Sequence, residues 1–175
     1  MKQNVIKWMS LLLFVMATQV VMGQKVPKAD KSPADISYYK TGGETVAKVV
    51  YGRPQMNDRE IFGKLVKFDK VWRTGANEAT EIRFYQDVTL AGEAVAAGTY
   101  TLFTIPGESE WKIILNSELD QWGAYRHDKK KDVLTVSVPA GTSEEAIESM
   151  AIFFDKDSMY IGWGNTLVAV PVGVE

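Results

Sequence analysis

Short β-forming runs, broken every few residues by turn formers, dominate this chain. No long amphipathic helical pattern accompanies them. Thr45, Ala47, Val49 and Tyr51 alternate with Val46, Lys48, Val50 and Gly52, which is the period of a strand. Ile82 and Phe84 alternate with Glu81, Arg83 and Tyr85, giving one dry face and one wet one. Residues 99–105 and 111–115 are β-rich and joined by Pro106-Gly107-Glu108-Ser109-Glu110, a hairpin signal. Residues 132–138, 150–154, 159–163 and 167–172 continue the series. Ala91-Gly92-Glu93, Ala97-Gly98, Lys156-Asp157 and Gly164-Asn165 read as turns. Two short segments carry helical signals. Residues 57–63 have Asn57 as a cap and Gly63 as a stop, and residues 142–147 have capping-box spacing from Thr142 to Glu145. The pattern predicts an all-β fold: an antiparallel β-sandwich or jelly roll of about nine short strands, with one or two short helical turns.

The N-terminal residues follow a different rule. Lys2 and Lys7 precede an apolar stretch that runs from Trp8 to about Met22 and is broken by Ser10, Thr18 and Gln19. That stretch is shorter than the ~20 residues a spanning helix requires. Val21-Met22-Gly23 offers residues that a signal peptidase accepts, so residues 1–23 read as a cleaved signal peptide and the mature chain as not membrane-spanning. The expected destination is the periplasm or the medium. The chain has no cysteine, which rules out a lipid-modified cysteine at the mature end and any disulfide. Residues 24–32 form a lysine-rich flexible leader, and residues 33–175 a single β-sandwich domain. Removing Lys2 and Lys7 leaves 18 of the 20 basic residues against 22 acidic ones, a net charge of −4. That balance disfavours nucleic acid as a partner.

The densest polar chemistry lies in Val71-Trp72-Arg73-Thr74-Gly75-Ala76-Asn77-Glu78-Ala79-Thr80. Two readings of it stand side by side. In one, Arg73 grips a carboxylate, phosphate or sulfate with its planar fork, Arg53 adds a second positive head and Trp72 a stacking face. In the other, Arg73 pairs with Glu78 or Glu60 and staples a long loop over one end of the sandwich, with Asn77 capping backbone groups. Gln121-Trp122-Gly123-Ala124-Tyr125 has the composition of a carbohydrate platform, or of aromatics plugging a sheet edge. His127, the single histidine, reads as part of a solvated turn beside three lysines. It has neither a nucleophile elbow nor enough partner ligands for zinc. Glu78 with Glu60 or Asp69 is a conceivable acid/base pair, at the ~5–10 Å that glycoside hydrolysis needs. No phosphate-binding glycine loop is present.

Several of these motifs resemble one family. Tyr51-Gly52-Arg53-Pro54, Arg59-Glu60-Ile61-Phe62-Gly63, residues 71–80, residues 97–106 and residues 121–125 are similar to the family called domain of unknown function 2911, exported proteins of Bacteroidetes-type bacteria. The similarity runs from about residue 32 to 172 and implies export. It implies no activity.

The sequence therefore favours a non-catalytic exported domain. Such a domain binds a small polar or glycan-like ligand, or a cell-envelope partner, and uses no cofactor and no metal. Its candidate site is Arg53, Trp72, Arg73, Asn77, Glu78, Gln121, Trp122 and Tyr125. A hydrolase with Glu78 as acid or base, and a purely structural interaction module, are the alternatives. The export expectation has a direct test. Intact-mass spectrometry of the natively exported protein should find a chain beginning near Gln24. A membrane fraction retaining Met1 would contradict it.

Overall fold

The computed structural model describes residues 24–174, so the expected signal peptide lies outside the described residues. Residues 24–30 are exposed and carry no regular secondary structure. Ten strands follow: β1 (Ala34–Thr41), β2 (Glu44–Gly52), β3 (Glu81–Phe84), β4 (Val88–Leu90), β5 (Glu93–Val95), β6 (Gly98–Ile105), β7 (Glu110–Asn116), β8 (Asp132–Pro139), β9 (Thr142–Asp155) and β10 (Ser158–Val174). They make two antiparallel sheets. One has six strands in the order β1-β2-β3-β6-β7-β8, the other four in the order β5-β4-β10-β9. The alternation along each strand sends every second side chain inward, so Val46, Ile82, Leu102 and Ile113 of the first sheet meet Leu90, Ile152, Ile161 and Val170 of the second in one core.

The two sheets are also tied by hydrogen bonds. After β2 the chain runs along the outer edge of β9. Met150 N donates to Pro54 O at 2.9 Å, and Met56 N donates to Glu148 O at 2.7 Å. The Tyr51 hydroxyl donates to Asp35 Oδ2 at 3.0 Å and accepts from Ile152 N at 3.0 Å. Strand β9 therefore has much of its free edge occupied, which removes a template for unwanted pairing. Burial pushes the Tyr51 phenol pKa up, with its bond to Asp35 adding to the rise.

Three expectations need correction. Residues 57–63 form turns, not a helical turn. Residues 142–147 are the start of β9, where Thr142 pairs with Thr166 and Ile147 with Gly164. The capping-box spacing there loses to a partner strand, because helix propensity is worth only tenths of a kcal/mol per residue. Gly164-Asn165 does not divide two strands. It is an irregularity inside β10, where Gly164 takes φ 58° and a Cβ would press on Ile61 at 3.3 Å. The one short helical turn among the described residues is a 3-10 turn at Lys129–Lys131. Strand β1 was not anticipated, because Ile36 and Tyr38 on its outer face stay exposed.

Candidate functional site

Strand β6 turns Leu102 into the main core and Phe103 away from it, and β7 does the same with Ile113 and Ile114. Phe103 and Ile114 are nonetheless fully buried, because loops cross the outer face of the six-stranded sheet above them. Ala79 from residues 71–80 and Ala124 from residues 117–131 close this second, smaller core, together with Val71 and Ile105. Those two loops carry most of the candidate site.

The first loop is fixed by its backbone. Trp72 and Thr104 exchange both hydrogen bonds, at 2.7 and 3.0 Å, so residue 72 takes the place beside β6 that β3 has left. The Trp72 ring turns inward, 7% exposed, stacked 6.1 Å from Trp163 and edge-on to Trp111 and Phe62. Thr74 Oγ1 lies 3.1 Å from Thr104 Oγ1, Thr80 Oγ1 donates to Thr74 O at 2.7 Å, and Thr80 N donates to Arg73 O at 3.0 Å. Gly52 lies so close to Ala76 that a Cβ would sit 2.1 Å from its carbonyl oxygen. The second loop docks on the first. Ala79 N donates to Gln121 O at 2.8 Å, Gly123 N donates to Asn77 O at 3.1 Å, and Glu78 bridges to Trp122. Asn77 Nδ2 reaches Ser32 O at 3.5 Å.

The Arg73 side chain takes no part in this scaffolding, although its backbone carbonyl does. Its side chain is half-buried, its Nε is buried without a hydrogen-bond partner, and no described residue forms an ion pair with it. The expected pairs with Glu78 and Glu60 do not form. Burial lowers its pKa, and the nearby Tyr125 opposes that shift. Arg73 lines a cleft of about 610 Å³ together with Trp72, Asn77, Trp163, Lys31 and Arg59. None of the described residues lining this cleft is a carboxylate. The Arg59 guanidinium is already engaged, donating to Gln55 O at 2.6 Å and Met56 O at 2.8 Å. Arg73 is thus a partly desolvated cation without a counter-charge among the described residues, an arrangement that disfavours its charged form.

The remaining candidates lie elsewhere around the same loops. Arg53 does not line the Arg73 cleft; it pairs with Asp35 at 3.1 Å. Glu78 is exposed and lines a cleft of about 310 Å³ with Gln121, Glu81 and Asp120. Glu60 borders a different cleft, and Asp69 borders neither. Gln121, Trp122 and Tyr125 line a third cleft, of about 440 Å³.

His127 is not in a solvated turn. Its side chain is 11% exposed, and its Nε2 lies 2.8 Å from Oδ1 of Asp132, itself 10% exposed. Asn116 Nδ2 donates to the same oxygen at 2.8 Å, and the imidazole stands edge-on to Phe103 with ring centres 5.0 Å apart. The lysines around it are exposed while the histidine closes the second core, a split that composition does not reveal. His127→Ala would leave Asp132 with a lost partner and Phe103 uncovered. It should cost about 1–3 kcal/mol, well beyond the ~0.5 kcal/mol of a surface change. Urea unfolding measures this, and a loss within the surface range would contradict the packing described.

A family model described as a protein of unknown function (DUF2911) matches residues 32–172. No curated protein and no solved structure matches the chain. The match takes in nearly all of the β-sandwich and both loops of the candidate site, and the chain belongs to this DUF2911 family.

Proposed function

We propose that this protein is a non-catalytic, exported binding domain whose Arg73 cleft takes a small organic anion. One observation carries the reading: a half-buried guanidinium, unpaired among the described residues, on the wall of a cleft lined by cations and no acids. A planar fork of donors suits carboxylate, phosphate or sulfate, which it can grip with two parallel bonds. Trp72 and Trp163 edge the same cleft, so the favoured ligand has an apolar or ring-shaped body behind its acid group. Asn77 supplies an amide beside the guanidinium for a second polar contact. The scaffold around Arg73 is made by Thr74, Thr80, Thr104 and backbone bonds, so the cation is held in place without being consumed. Export rests on the N-terminal pattern of Lys2, Lys7 and the apolar stretch before Gln24.

Calorimetric titration of the mature chain with sulfate, phosphate, benzoate and glucuronate tests the reading. At least one should bind, with an affinity that falls as salt rises. Arg73→Ala should abolish that binding, and Arg73→Lys should weaken it about tenfold, since an ammonium cannot reproduce the fork. Absence of binding by all four, or equal binding by Arg73→Ala, would contradict it.

A further inference from the structure

The third cleft differs in kind from the first. Its exposed members include two large aromatic rings, Trp122 at 62% and Tyr125 at 85% exposure, beside Leu119 at 38%. Around them stand Glu118, Asp120 and Arg126, with Gln121 in the wall. Large aromatics left in water on a rigid support are uncommon, since each forgoes a substantial burial energy. The support here is rigid. The Glu118 carbonyl accepts from Thr101 Oγ1 at 2.6 Å and from Gln121 Nε2 at 3.0 Å, and Asp120 N donates to Glu81 Oε1 at 2.9 Å. Asp120 is held at φ 56° and Gly123 at φ 68°. The Tyr125 ring lies over Gly123 so closely that a Cβ there would meet ring carbon Cε2 at 2.7 Å. A non-glycine residue in the left-handed region is strained, and persists where its surroundings hold it. The rings are therefore presented on a preformed loop.

We infer that the cleft bounded by Trp122 and Tyr125 is a saccharide-binding subsite, in which a pyranose stacks its C–H face on the aromatic rings. A sugar ring has an apolar face and a rim of hydroxyls that both donate and accept. The aromatic faces match the first. The carboxylates of Glu118 and Asp120 and the Arg126 guanidinium match the second. Gln121 contributes a further signal: its Oε1 is buried and has no hydrogen-bond partner among the described residues. Two carboxylates beside a single arginine exclude a polyanion such as nucleic acid as the natural occupant. The subsite shares no lining residue with the anion cleft, although Tyr125 lies near enough to Arg73 to feel its charge.

Saturation-transfer NMR of the mature chain with cellohexaose, xylohexaose, maltohexaose and chitohexaose tests the inference. At least one sugar should receive transfer from the protein. Trp122→Ala and Tyr125→Ala, both at exposed positions, should each weaken its binding about tenfold while the melting temperature holds. Arg73→Ala should leave it in place, which separates this subsite from the anion cleft. No transfer to any of the four sugars, transfer undiminished in both ring variants, or binding abolished equally by Arg73→Ala would each overturn the inference.

Discussion

Phe103 and Ile114 lie on the side of the six-stranded sheet that faces away from the sandwich core, and they are too large and apolar to be left in water. Covering them requires two long connections to lie flat on the sheet. Residues 71–80 and 117–131 do this, and the docking of one upon the other at Ala79, Asn77 and Glu78 follows from it. The clefts around these loops arise at their margins. A sandwich with an ordinary polar outer face at these positions would have no reason to hold its loops this way.

How the first loop is held decides what Arg73 can do. Thr74 sits at φ 56°, a conformation that β-branched residues avoid, and Asn77 at φ 61°, which asparagine tolerates better than most. They are sustained by the paired bonds between Trp72 and Thr104, by the three threonine hydroxyls, and by the close approach of Gly52 to Ala76. With that many constraints the loop has no need of an ion pair. The guanidinium then stands in a cleft with no acid among its described lining residues, where burial disfavours its charge.

Part of the fold is legible from residue alternation alone, because one face of β2 and β3 is more deeply buried than the other and period two then writes itself into them. The misreadings share a cause. Residues 142–147 and Gly164 are shaped by a partner strand more than ten residues away, and local spacing cannot express that. Trp72, Arg73 and Asn77 do share one cleft. Arg53 was drawn in by its charge but is turned away by Asp35, a partner found only in three dimensions. His127 was lost among its lysines, although Asp132 five residues later was a clue to its bond. The aromatic pair Trp122 and Tyr125 was visible as composition, and only the structure shows both rings exposed on one loop.

The central claim is that Arg73 is held in its cleft without a protein counter-charge. Urea unfolding of wild type and Arg73→Ala, at equal pH and salt and without added anions, tests it most directly. The account predicts midpoints that coincide, or a variant slightly above wild type, with unchanged slopes. A loss on the order of 3–5 kcal/mol, the cost of breaking a buried ion pair, would mean that Arg73 is the staple of its loop and would contradict the account.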